Sequence, residues 1–252
     1  MVQTKKIHKK MKLKTITFTG IDDRTKIEDL QKLQYFFTNA EFGVLISKNW
    51  YKNGNRYMSP SKIRELEGSG LNLSAHLCGQ AARDAANGNW YIPDYITQGQ
   101  FSKIFKRCQL NIADADPYMP TAIDDIPVKE LIIQVKSTLT ADRIHFNNIR
   151  KQNPNSKVTM LIDPSGGQGI DNGLTVLDTC YKTGYAGGIN ENNIRQKIIS
   201  LESSRIVRKY WLDMESSVRT NDWFDTQKAA AILWKYEETR RFLREEKRKG
   251  GE

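Results

Sequence analysis

Eight short strand-like runs alternating with helical stretches predict a single (β/α)8 barrel, an α/β fold of eight parallel strands wrapped by helices. Three observations carry this expectation. The chain has 252 residues, close to the size of one such barrel. The strand runs number eight, the count that closes a parallel sheet joined by right-handed crossovers. Within several runs polar and apolar residues alternate, as strands with one polar face require.

The runs are KTITFTG (14–20), FGVLIS (42–47), LNLSAHLCG (71–79), RCQLNIAD (107–114), ELIIQVKS (130–137), VTMLID (158–163), TGYAGG (183–188) and YWLDMESS (210–217). Helical spacing marks KIEDLQKLQYFF, PSKIRELEGS, NENNIRQKIISLE and DTQKAAAILWKYEETRRFLREEK between and after them. The connection before the fourth strand, containing ANGNWYIPDYI, is long enough to carry extra structure. The barrel is expected over residues 15–239, with a basic tail at 1–14 and a charged helix end and tail at 240–252.

Composition is that of an ordinary globular chain, 38% hydrophobic and 27% charged. No apolar run approaches the roughly 20 residues that span a bilayer, so no membrane partner is expected. The lysine-rich start has no apolar segment behind it and does not read as a secretory signal. Met11 opens MKLKTITFTG and reads as an alternative start, which would make the first ten residues dispensable. Cys78, Cys108 and Cys180 follow neither metal nor paired-disulfide spacing, which favours a reducing, cytoplasmic setting. No cofactor is implied, and no histidine or carboxylate cluster has metal-ligand spacing.

The net charge of +10 resides in the tails. Residues 1–14 hold six lysines and no acid, and residues 240–252 hold six basic and three acidic residues, so nine of the ten charges lie outside the body. Such tails bind polyanions weakly by counterion release. They more often are solvated ends, and nucleic acid is therefore the weaker of the partner expectations.

Alternation places Thr15, Thr17 and Thr19 on one face of the first strand, and Asn72, Ser74, His76 and Cys78 on one face of the third. Gln109, Asn111, Gln134, Lys136, Asp163 and Asp213 follow the same logic. The apolar faces belong against the helices, so these groups point into the barrel. Buried polar groups must be hydrogen-bonded or face a wet cavity. The two readings are a mutually satisfied polar core and a binding site at the C-terminal mouth, where barrel enzymes place theirs.

The order of short motifs resembles phosphoribosylanthranilate isomerase. TFTG (17–20) stands where that family has Lys-Ile-Cys-Gly, and RYMSP (56–60) reads like its arginine-tyrosine segment followed by Ser-Pro. QLN (109–111) replaces Gln-Leu-His, and MLIDPSGGQGID resembles its acid followed by Gly-Gly-x-Gly. YAGGINENNI (185–194) and LDMESSVR (212–219) resemble its seventh- and eighth-strand segments. The likeness runs in order from residue 17 to residue 219.

The resemblance implies an Amadori-type isomerase on a phosphorylated sugar, with Asp163 as general acid and a base at position 19. Thr19 replaces the family's cysteine, and a hydroxyl is far too weakly acidic to act as a thiolate does. Ser217 and Arg219 also depart from the glycine and glutamate of the eighth-strand signature. His76 is the candidate substitute proton carrier, against a reading as a hydrogen-bonded core histidine. Cys78 reads as a small buried residue. Lys136 could form a Schiff base or pair with Asp163, and pairing is the simpler reading. Asp22 and Asp23 follow the first strand as further candidates for chemistry, and DDRTKIEDL reads equally well as the capped start of a helix.

By resemblance Arg56 holds a substrate carboxylate. Asp213 binds a sugar hydroxyl or positions the base, and Asn111 sits in the substrate region. Glycines at neighbouring strand ends, Gly167, Gly169, Gly187 and Gly188, with Ser216 and Ser217, form the expected phosphate cradle, and Asn190 caps the following helix. Three functions stay open: an isomerase or lyase on a phosphorylated sugar or nucleotide-like molecule, a non-catalytic binder of a phosphoribosyl compound, and a nucleic-acid-associated protein using its tails.

Overall fold

The computed structural model of the chain describes residues 11–49, 51, 54–88, 96–111, 126–135, 146–151, 158–174, 176 and 182–249. Lys136 and Cys180 lie outside these residues, as does most of the basic segment 1–14.

Eight parallel strands close into one barrel in sequence order: β1 (Leu13–Thr19), β2 (Ala40–Ile46), β3 (Leu73–Cys78), β4 (Arg107–Asn111), β5 (Glu130–Val135), β6 (Val158–Ile162), β7 (Thr183–Tyr185) and β8 (Tyr210–Met214). β8 returns to β1, with Asp213 beside Thr17, so the sheet has no free edge. All eight expected strands are present. β1 begins at Leu13, whose N–H, like that of Lys12, donates to Glu202.

Helices α1 (Ile27–Phe36), α2 (Pro60–Glu65), α3 (Gln80–Ala86) and α4 (Gln98–Ile104) surround the first half. Helices Ile194–Ser203 and Thr226–Lys249 flank β8. The long connection before β4 carries α3 and α4. The apolar strand faces (Ile16 and Phe18 on β1, Phe42 and Val44 on β2, Leu212 on β8) pack with helical residues such as Leu30, Ile198, Ile232 and Leu233 into one core. None of the helices is long and apolar enough to cross a membrane, among the described residues.

The barrel interior is stratified. Nearest the strand starts, Arg107 Nη1 donates to Glu41 Oε1 at 2.7 Å, and its Nη2 lies 3.3 Å from Glu130. Lys182 Nζ lies 3.0 Å from both Glu130 oxygens, and Thr17 and Thr159 donate to Glu41 and Glu130. Burial alone would raise the Glu130 carboxyl, but Arg107 and Lys182 hold it below its ordinary range. Above this layer Ile132, Leu161 and Trp211 form a separate apolar cluster. The Trp211 ring carries Arg107 at 4.5 Å and Lys182 at 5.1 Å over its face. Charged pairs thus fill the lower half of the barrel, and a cavity lies in the upper half.

Gly184 makes this arrangement possible, because a Cβ there would overlap the Trp211 ring and the Leu161 side chain. Gly184→Ala is expected to lower stability by ~1–3 kcal/mol through overpacking, read by urea denaturation. A neutral result would mean that Trp211 can shift without cost.

A two-stranded hairpin follows β8: β9 (Arg219–Thr220) and β10 (Trp223–Phe224), turning through Asn221 and Asp222 at φ 50° and 60°. Asp22 secures it, and this corrects its reading as a helix cap. Phe224 N–H donates to Asp22 Oδ2 at 2.6 Å, while α1 starts later, after Lys26. Arg219 Nη1 donates to the Gly20 carbonyl and Arg24 stacks on Trp223, so the hairpin is fastened to the loop after β1.

Candidate functional site

A cavity of about 310 Å3 opens at the C-terminal ends of the strands. It is lined by Thr19 from β1, His76 and Cys78 from β3, Gln109 and Asn111 from β4, and Gln134 from β5. Asp163 after β6, the glycines after β6 and β7, and Asp213, Glu215 and Ser216 of the β8 segment complete the wall. Parallel strands aim alternate side chains inward at the same height, which is why residues up to 194 positions apart meet here.

Asp213 is a carboxyl strongly altered by this setting. It is 5% exposed, and Thr19 Oγ1 donates to its Oδ1 at 2.7 Å. Burial pushes its carboxyl up to about 7, although the Thr19 bond and Arg107 pull the other way. A carboxyl of this kind exchanges protons near neutral pH.

Asp163 is held differently. Oδ1 accepts from the Ser165 amide at 3.1 Å and from its hydroxyl at 2.7 Å. Oδ2 accepts from Gly167 N–H at 2.6 Å and Gln134 Nε2 at 2.9 Å. Each oxygen therefore accepts two hydrogen bonds, and a proton on either would have to displace one.

His76 is 1% exposed, and its Nε2 shares a 3.1 Å hydrogen bond with Ser74 Oγ. Burial, with the charge of Arg107, lowers its imidazole to about 3. The low value and the Ser74 bond favour the reading as a hydrogen-bonded histidine in the cavity wall over a charged proton carrier. Burial pushes the Cys78 thiol up to about 11, so it stays protonated, and Asn111 Nδ2 donates to its sulfur. Asn111 Oδ1 in turn accepts from Gln109.

Arg56 reaches the rim from the loop before α2. It donates to Asp222 Oδ1 at 2.8 Å and to Glu215 Oε1 at 3.1 Å. Its guanidinium thus clamps the β8 loop to the hairpin as well as facing the cavity. Glu215 was not among the expected site residues. Its signal was available, since it lies two residues beyond Asp213 and shares its direction.

The glycines meet where expected. Gly166, Gly167, Gly169, Gly187 and Gly188 all have positive φ. At Gly169 a Cβ would overlap the Ser216 hydroxyl, so the β6 loop and the β8 segment touch only because the side chain is missing. A second recess of about 360 Å3 shares Gly169, Gly188 and Ser216 with the main cavity and adds Ser217, Asn190 and Lys228. The Ser217 hydroxyl is buried with no hydrogen-bond partner. The amides of Gly167 and Gly169 are engaged by Asp163 and by Ser165 Oγ (3.1 Å). Asn190 Oδ1 likewise accepts from the amides of Asn192 and Asn193, and the helix proper begins at Ile194. Lys228, on the first turn of the last helix, carried no sequence signal for this place.

Among the described residues, no three His, Cys, Asp or Glu side chains gather as a metal-binding group.

The strands and their order define a (β/α)8 barrel with a polar mouth. No protein-family model matches the chain, and no curated protein matches it. In fold it is a phosphoribosylanthranilate isomerase-like barrel. It is similar to N-(5'-phosphoribosyl)anthranilate isomerase from Pyrococcus furiosus at 15% identity and a TM-score of 0.52, over 89% of this chain and 98% of that one. The phosphoribosyl anthranilate isomerase from Thermococcus kodakaraensis gives 13% identity, a TM-score of 0.53, and 88% and 98% coverage. Phospho-2-dehydro-3-deoxyheptonate aldolase from Thermotoga maritima gives 10%, 0.54, and 92% and 71%. At these identities the likeness is one of fold.

Proposed function

We propose that the protein is a proton-transferring barrel enzyme, an isomerase or lyase, acting on a phosphorylated sugar or nucleotide-like molecule. The observation that carries this reading is Asp213, a buried carboxyl pushed up to about 7 on the wall of a cavity that shares Gly169, Gly188 and Ser216 with a neighbouring recess. Asp213 supplies the base that Thr19 cannot. It takes a proton from the carbon next to the sugar carbonyl and returns it to the neighbouring atom, while Thr19 orients it through the 2.7 Å bond.

Asp163 keeps the acid's place that the resemblance gives it, under a condition. Its Oδ2 holds the Gly167 amide, and a phosphate competing for that amide would free the oxygen to carry a proton. Substrate phosphate and acid are thereby coupled. Gly187, Gly188, Ser216 and Ser217 supply the remaining polar wall of the cradle. Arg56 and Asn111 line the part of the cavity left for the rest of the substrate.

The test is hydrogen exchange by NMR, with a panel of phosphorylated aldoses incubated with the protein in D2O. Exchange at the carbon beside the carbonyl, lost in Asp213→Asn, supports the enzyme reading. Saturable binding without exchange supports a non-catalytic binder, which Thr19 in place of a cysteine favours. Absence of both overturns the two readings together.

A further inference from the structure

On β2, Gly43 faces the barrel interior, in register with Thr19 of β1 on one side and Ser74 of β3 on the other. Glu41, two residues earlier, points the same way and reaches the ionic layer, so a side chain at 43 would stand one step nearer the mouth. None is there, and β2 supplies no residue to the wall of the main cavity. The space is filled from both sides instead. A Cβ on Gly43 would lie 2.7 Å from Thr19 Oγ1 and 2.8 Å from His76 Nε2, closer than real Cβ atoms come to their neighbours. Unlike Gly20 and Gly187, Gly43 does not have a positive φ, so space and not backbone conformation requires glycine here.

Neither neighbour yields freely. Thr19 is 3% exposed, β-branched and bonded to Asp213, while His76 shares its Nε2 hydrogen bond with Ser74. Gly43 also holds the chain beyond Thr19, because its carbonyl accepts from Gly20 N–H at 2.8 Å and from Ile21 N–H at 3.2 Å. The conflict differs in kind from that at Gly184. There a methyl would press on apolar groups; here it would press on two polar atoms, one of which holds Asp213.

We propose that Gly43 is a positioning residue of the mouth: its missing side chain lets the Thr19 hydroxyl stand against Asp213, with His76 filling the rest of the space. The inference rests on the reading of Asp213 as the base. A methyl at position 43 drives Thr19 Oγ1 from its place, and the Asp213 carboxylate loses a hydrogen bond that favours its charged form. The charges that otherwise act on Asp213 are Glu41 from β2, Arg107 from β4 and Glu215 from its own segment. His76 is the titratable group that faces the same space from β3, and the methyl removes none of these four.

The test is NMR titration of the Asp213 carboxyl in the full chain, its resonance assigned by its loss in Asp213→Asn. No substrate is needed. In Gly43→Ala the midpoint is expected to rise from about 7 by about one pH unit, the effect of losing one hydrogen bond to a carboxylate. Thr19→Val, which keeps the shape and removes the hydroxyl, is expected to give a similar rise, and Thr19→Ser none. Adding Gly43→Ala to Thr19→Val is expected to raise the midpoint no further, because the bond through which Gly43 acts is already gone. An unmoved midpoint in Gly43→Ala, or a rise that adds to that of Thr19→Val, overturns the proposal. If Gly43→Ala does not fold, circular dichroism of Gly43→Ala combined with Thr19→Ala and His76→Ala decides. A restored fold supports the side-chain conflict, and an unrestored one overturns it. Proton exchange into phosphorylated aldoses is measured alongside. Its absence in the parent overturns the enzyme reading alone, whereas a Gly43→Ala protein whose exchange moves to higher pH with the carboxyl supports both.

Discussion

Replacing Asp213 with asparagine is expected to stabilise the fold at high pH while reducing proton exchange by about 100-fold or more. The stability effect has a definite sign. The folded carboxyl keeps its proton up to about pH 7, whereas an unfolded aspartate releases it near 3.9. Between these values the folded state binds more protons, so the contribution of Asp213 is fully present below pH 4 and is lost as pH rises through 7. Asparagine has no charge to bury and keeps an acceptor for Thr19. Its gain over aspartate is therefore expected to grow from near zero at pH 4 to on the order of 3–4 kcal/mol above pH 8. Urea melts of both proteins across this range measure it. A difference that does not change with pH would show that Asp213 is charged at neutral pH in the folded protein, and the base assignment would fall with it.

The second large effect is expected at Arg107. Arg107→Leu leaves the buried Glu41 without its cationic partner and Glu130 with Lys182 alone, and it removes the stack on Trp211. Breaking a buried pair from one side typically costs ~3–5 kcal/mol, because the remaining charge is stranded in a poorly polarisable interior. Adding Glu41→Leu to that variant is expected to restore part of the loss, since the stranded charge is then gone. Equilibrium denaturation of the single and double variants reads both values. A single variant within about 1 kcal/mol of the parent would mean that water reaches the layer and already screens it.

Much of the site was legible from parity. Thr19, His76, Gln109, Gln134 and Asp213 each lie on a polar face of a strand, with Asp163 just past the end of β6, and period-2 alternation aims them inward. Their chemistry was less legible. Burial lowers the His76 imidazole to about 3 and pushes the Asp213 carboxyl up to about 7, and neither surrounding is visible within its own strand. Glu41, Arg107 and Glu130 share the parity of inward residues, yet only closure of the sheet brings β2, β4, β5 and Lys182 onto one set of charges. The hairpin Arg219–Phe224 was missed although Asn-Asp at its turn is a suitable left-handed pair, because each of its strands has two residues and no period can be seen in two.

By itself, the sequence determined the architecture and the direction of the side chains, since the count of eight strands and the alternation within them are local properties that survive any detail of packing. Tertiary structure alone decided which inward groups became a salt-bridged layer, which an apolar plug and which a cavity. That decision depends on neighbours far apart in the chain. A carboxylate beside an arginine and the same carboxylate beside a threonine differ in charge at the same pH, and nothing within either strand records which neighbour it will meet.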